Sequence, residues 1–188
     1  YVPMKSLRER IIAAATGTKV QFDPDMDREV RGLQRDRVEE GFDFLSQLIE
    51  LRPLIGSRLR VPVHRTTSGR SFHRRSEGVF LSQHAGTTTT IHEVGHAIEA
   101  ADERIHQELW AFYKRRTKSE KLEWLGDNYD RDEKTRKDKF LHPYMGKDYG
   151  RMSSELLSMG LEMIFEDPRE IIENDPDMFE EMLAIIFW

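Results

Sequence analysis

The stretch Ile91-His92-Glu93-Val94-Gly95-His96 places two imidazoles four residues apart, with a carboxylate directly after the first. On an α-helix, residues four apart lie about 40° from one another around the axis, so both rings can reach one ion. Glu93 falls about one further 100° step round, where it can hold a water beside that ion without binding the ion itself. The chemistry on offer is a divalent metal with an activated water. The flanking residues suit it. Ile91, Val94, Ile98, Ala101 and Ile105 make an apolar stripe roughly opposite the two histidines, so one side of the helix packs and the other faces a cleft. Gly95 costs roughly 1 kcal/mol relative to Ala inside a helix, which predicts a close approach by another element. Thr87 to Thr90 offer a capping hydroxyl.

A catalytic centre of this kind needs a third protein ligand and an open position. Asp102 stands ten residues after His92, but Glu99-Ala100-Ala101 favours a continuing helix that carries it away from the ion. Glu99 lies one turn beyond His96 on nearly the same face and suits an outer role, holding a ligand rather than being one. Glu155 is the favoured third ligand. It belongs to a stretch, Met152 to Phe165, that is apolar almost all round apart from a narrow stripe of Glu155, Glu162 and Glu166. A carboxylate on a largely buried helix needs a partner or a metal. The competing reading is that this stripe is only the solvent face. Tyr149 and Tyr144, in the glycine-containing loop ahead of Glu155, are candidate donors to a developing oxyanion.

Other elements must position these groups. Met4 to Thr16 reads as a helix with Gly17 as its C-cap. Asp23-Pro24-Asp25 reads as the start of a long helix, or two in tandem, running to about Leu51 and ended by Pro53 and Gly56. Leu59, Val61 and Val63 alternate with polar residues as a strand does, although Pro62 restricts it to an edge or irregular strand. Ser71 to Arg75 and Gly78 to Ser82 read as two short strands, and this is the one β region expected. Thr88 to Glu103 returns to helical period, and Arg104 to Arg116 continues it or restarts after a bend. Residues 114–139 are dense in mixed charge and read as a solvated helical hairpin or excursion. A last helix covers Asp177 to Phe187. The division expected is an N-terminal helical region, 1–57, and a domain at 58–188, together forming one compact unit.

Composition narrows the function. The 188 residues carry 29 Lys and Arg against 34 Asp and Glu, a net charge of −5, which gives no general pull toward nucleic acid. Arg58, Arg60, Arg65, Arg70, Arg74 and Arg75 form a local basic patch without interleaved stacking rings. It reads either as charge guarding strand edges or as a cleft preferring acidic peptide. No apolar run reaches the roughly 18 residues of a membrane helix. The absence of Cys removes disulfides, thiolate ligands and a cysteine nucleophile, and a cytoplasmic location is expected on that ground. The start at Tyr1 and the apolar Ala184 to Trp188 end read as a piece of a longer protein. His64, His73, His84, His106 and His142 lie outside any ligand spacing and are expected at the surface or on strands.

Taken together, the His92–His96 motif and Tyr149-Gly150-Arg151-Met152-Ser153-Ser154-Glu155-Leu156-Leu157-Ser158-Met159-Gly160-Leu161-Glu162 resemble the gluzincin zinc metallopeptidases, and in particular phage-associated and lethal-factor-like zincin domains. The likeness covers roughly residues 58–167. It implies an α+β, zincin-like, helix-rich fold with a small mixed sheet whose edge strand precedes the metal helix. It implies one Zn²⁺ held by His92, His96 and Glu155, with Glu93 as general base and Tyr149 as a catalytic phenol. By the same resemblance Gly78 to Gln83 is the edge strand, and Val79, Phe80, Leu81 and Ser82 bind an extended peptide or protein substrate. Met159 stands where a thermolysin-type Asp would follow the ligand Glu, so wiring of that type is not expected. Two other readings stay open: a catalytically inactive zincin scaffold serving interaction or structure, and an effector acting on one protein.

Overall fold

The structure, a computed structural model, describes residues 4–14, 20–49 and 58–187. Gly17, Leu51, Pro53 and Gly56, expected to end helices, lie outside the described residues. A four-stranded mixed sheet has the order β1-β2-β4-β3, formed by β1 (Gln21–Met26), β2 (Arg58–Arg65), β3 (Phe72–Arg74) and β4 (Gly78–Leu81). β1, β2 and β4 run parallel, and β3 closes the sheet antiparallel to β4. The α+β class with a small mixed sheet is therefore present.

Residues 23–25 form part of β1 instead of opening a helix. Phe22 and Met26 are buried on one side, while Asp23 and Asp25 form ion pairs with Arg58 and Arg60 on the neighbouring strand. Pro24 is tolerated because β1 is an edge. The helix start falls to Asp27, whose carboxylate accepts the Val30 N–H at 2.9 Å. The long helix is two: α2 (Arg28–Leu33) and α3 (Arg35–Leu48). They part at Gln34, a buried side chain whose amide donates to Ser82 O at 2.8 Å.

Two strand expectations also change. β2 is internal despite Pro62, whose carbonyl faces Gly78 at the start of β4, while the β2–β4 ladder begins only at Val63. The missing N–H therefore sacrifices no ladder bond. Gly78 has φ +106° and an added Cβ would meet Pro62 O at 2.3 Å, so the turn into β4 needs glycine there. β4 is no edge either. Val79, Phe80 and Leu81 are paired with β2, and Val79 and Phe80 also with β3. Ser82 is tied by its N–H to Ser71 Oγ. The strand ahead of the His92–His96 segment therefore has no free side for a peptide, and the edge on that side of the sheet is β3.

α4 (Thr87–Ala101) is the central helix, packed on α3, on the sheet and on α6 (Leu156–Glu166). No threonine caps its first turn with a side chain; Thr87 and Thr88 bond instead to Glu40 and Glu166. Asp102 breaks the helix and caps α5 (Glu103–Arg116) through the Arg104 N–H at 3.0 Å. The charged stretch beyond is an antiparallel β-hairpin rather than helices, β5 (Leu122–Trp124) with β6 (Lys134–Arg136). Thr135 is fully buried and bridges to Lys147, so the hairpin is stitched to the loop that leads to Glu155. After α6, Asp167-Pro168 and Asp175-Pro176 each start a helix, α7 (Pro168–Asn174) and α8 (Pro176–Ile186), by an Asp cap with Pro at the first turn. One apolar core runs from Ile11 through Val38, Leu45, Val63, Ile98 and Leu161 to Ile186. Among the described residues no helix is long and apolar enough to cross a membrane.

Candidate metal centre

His92 and His96 project from one face of α4, with ring centroids 5.0 Å apart and planes 79° apart. What they face is fixed by Gly95. A Cβ there would come within 2.7 Å of Ser158 Cα, so the glycine lets α6 lie directly against α4, the close approach its presence predicts. Ser158 is three residues into α6, and Glu155 sits just before the helix as its N-cap residue. The carboxylate is thus at the end of α6 rather than within it, and Met152 to Ser154 are not helical. Glu155 is 1% exposed.

Glu155 Oε2 lies 3.3 Å from His92 Nε2 and 3.2 Å from His96 Nε2. Metal bonds of about 2.0–2.1 Å at tetrahedral angles put neighbouring donors roughly 3.3–3.4 Å apart. The two carboxylate–imidazole separations therefore match those around a small tetrahedral ion, and the three donor atoms all lie within 4.8 Å of one another. The outer nitrogens are also held. His92 Nδ1 is 3.4 Å from Glu162 Oε2. His96 Nδ1 is 3.4 Å from Ser153 Oγ, which donates to Glu99 Oε2 at 3.4 Å. An acceptor on each Nδ1–H turns each Nε2 lone pair toward the site, as metal-binding histidines require. The group that holds His92 is Glu162, one turn along α6 from Met159.

Glu99 faces the loop before Glu155 rather than the three converging donors. Its second oxygen bonds His106 Nδ1 at 2.9 Å, and the first also takes the Ser154 N–H at 3.2 Å. It pins the loop that delivers Glu155. Asp102, spent on its cap, stays out of the site. Glu93 is 6% exposed, lines the cleft and takes no hydrogen bond from the described residues. Burial raises its carboxyl above the ordinary carboxylate range. Tyr149 also lines the cleft, and its hydroxyl donates to Glu155 Oε1. Burial, with the Glu155 charge beside it, raises the phenol so that it keeps its proton.

The cleft itself has a volume of about 920 Å³. One wall is β3 and the loop before it, including Arg70, Phe72 and His73; another is the hairpin turn through Tyr129, which stacks on Tyr144. His73, His84, His106 and His142, expected at the surface or on strands, all line it. They come from four separate segments, so no local spacing announces them. Burial, aided by His96 and Arg75, lowers His73 to about 4. Phe80 of the expected substrate strand stacks on Phe72, and Val79 and Leu81 are core residues; of that set only Ser82 reaches the cleft. The basic patch is largely neutralised. Arg58, Arg60, Arg65 and Arg74 pair with Asp23, Asp25, Glu29 and Glu77; Arg70 and Arg75 line the cleft, Arg70 paired with Glu133.

Compared with protein-family models, with curated proteins and with solved structures, the chain matches none.

Proposed function

We propose that this protein is a zinc-dependent metallopeptidase of gluzincin type, with His92, His96 and Glu155 as ligands and Glu93 as general base. The observation that carries the proposal is the convergence of three donors, with Glu155 at ligand spacing from both imidazoles, next to a buried, unbonded carboxylate in a roomy cleft. Zinc in such a site supplies a Lewis acid for the substrate carbonyl and for a water. His92, His96 and Glu155 would hold the ion, two imidazoles and one carboxylate being a donor set suited to a catalytic rather than a closed structural zinc.

Glu93 then takes a proton from the attacking water and passes it to the leaving amine. Its raised affinity for protons suits a base that must also act as an acid near neutral pH. Tyr149 is the phenol placed to support negative charge on the substrate oxygen, once that oxygen competes with Glu155 for its proton. A peptide or protein substrate in extended form would lie along the open edge of β3, where Phe72 and His73 reach the cleft. The phage-associated or effector-type setting belongs to the same proposal. A scaffold kept only for interaction would have no use for Glu93 in this position.

Glu93→Gln separates binding from chemistry. The variant should keep its metal and lose about 100-fold or more of its peptide-bond hydrolysis, the scale of general-base catalysis. Hydrolysis at the wild-type rate by Glu93→Gln protein would remove the mechanism.

A further inference from the structure

The hairpin reaches the metal ligand through an unbroken chain of polar contacts. Glu133, just ahead of β6, holds two cations: Lys147 Nζ is 2.5 Å and Arg70 Nη1 3.5 Å from its Oε1. Its other oxygen takes the Asp130 N–H at 2.9 Å, so the carboxylate is fixed from both sides. Both cations then donate to the Tyr144 hydroxyl oxygen, Arg70 Nη2 at 3.0 Å and Lys147 Nζ at 3.3 Å. Lys147 also sits 4.9 Å and 4.6 Å above the rings of Tyr144 and Tyr149. The two phenol oxygens are 3.5 Å apart, and the Tyr149 hydroxyl ends on Glu155 Oε1.

The direction of this chain is forced. Ammonium and guanidinium groups only donate, and a phenol has one proton. The Tyr144 oxygen accepts from both cations, so its own proton turns to Tyr149. Tyr149, accepting there, commits its proton to Glu155 Oε1. Glu155 Oε1 is thereby turned to the phenol, and Oε2, which also accepts from Ser158 Oγ at 3.2 Å, faces the two imidazoles. We infer that Glu133 is a positioning residue for Glu155, acting through Lys147, Arg70, Tyr144 and Tyr149 to make that carboxylate a one-oxygen metal ligand. The charged hairpin is then part of the metal centre rather than a surface excursion. This rests on the reading of His92, His96 and Glu155 as metal ligands.

The test is zinc affinity, measured by competition with a chelator on the full chain, for Glu133→Ala, Tyr149→Phe and the double variant. Outer groups of this kind are worth about 10-fold or more in metal affinity. Each single variant should weaken zinc binding by about that factor, and the double variant should be no weaker than Tyr149→Phe alone, because both cut one chain. Glu123→Ala, on the same hairpin but paired with Lys137 outside the chain, should bind as the wild type does. Should Glu133→Ala fail to fold, Tyr144→Phe removes the relaying hydroxyl without a charge change and should show the same loss and the same non-additivity. Unchanged affinity in Glu133→Ala, or in Tyr144→Phe when it stands in, overturns the inference. So does a loss that persists in full in the Tyr149→Phe background, since that is a through-space charge effect. Glu155→Ala, run alongside, tells the two failures apart: unaltered affinity there overturns the metal centre itself.

Discussion

At the residue scale, His92 is held between two carboxylates. Burial alone would lower its pKa, but the hydrogen bonds to Glu155 and Glu162 push it up to about 10 from an ordinary value of 6.5. A group with a raised folded-state pKa contributes stability that is present below its unfolded value and lost as pH rises through the folded one. Protein stripped of metal by a chelator should therefore lose thermal stability between pH 6.5 and about 10, and His92→Gln should not show that loss. Zinc needs the neutral ring, so loading below pH 10 should release a proton that calorimetry in buffers of different ionisation enthalpy will count. A pH-independent melting temperature over that range would contradict the assignment. His92, Glu93 and His96 were legible in the sequence because helical period alone puts them together. Glu155 stood out as an acid in an apolar stretch that needs a partner, although it sits at the N-cap ahead of α6 rather than on the helix expected from Met152. Glu162 on His92 Nδ1 was not, since that contact exists only once α4 and α6 cross at Gly95. His73, His84, His106 and His142 were illegible for a similar reason: only the tertiary fold gathers them.

At the scale of elements, the α4–α6 contact decides whether Glu155 reaches His92 and His96. Gly95→Ala gains roughly 1 kcal/mol of helix propensity but sets a methyl 2.7 Å from backbone that cannot swing aside. Overpacking of this kind costs about 1–3 kcal/mol, so the net effect is destabilising, and zinc affinity should fall with it. Gly160→Ala meets the Met182 thioether instead. That side chain can move, so this change should be the milder of the two in denaturant midpoint. Equal effects would mean that Gly95 does not set the helix spacing. The strand β1 escaped notice because Asp23-Pro24-Asp25 carries the acid and proline of a helix start. The residues decide otherwise, since Phe22 and Met26 alternate with acids that arginines on β2 neutralise. The hairpin escaped because three-residue strands with one buried Thr135 leave almost no period to read.

At the scale of the molecule, Arg116 ties three regions together. It is half-buried, and it pairs with Asp138 beyond the hairpin, with Asp175 at 2.9 Å and with Asp177 at 3.1 Å at the start of α8. Removing it leaves the buried Asp175 and the half-buried Asp138 without their cation, which costs up to about 3 kcal/mol, so Arg116→Met should lower the unfolding midpoint beyond Arg35→Met, whose partner Glu39 is exposed. The core is likewise shared across the whole described chain: Phe22, Val38, Phe42 and Leu45 pack with Val61, Ile91 and Ile98. A fragment of residues 58–188 would lose β1 and α3 and expose α4. It should fail to give a cooperative thermal transition or to retain zinc.

The central claim is that α4 and Glu155 hold one metal ion. Metal content of protein purified without chelator tests it most directly, by elemental analysis of the wild type beside Glu93→Gln, His96→Ala and Glu155→Ala. About one equivalent of zinc should be found in the wild type and in Glu93→Gln, and little in His96→Ala or Glu155→Ala. Zinc absent from the wild type even after adding it back, or present at full level in Glu155→Ala, would contradict the account.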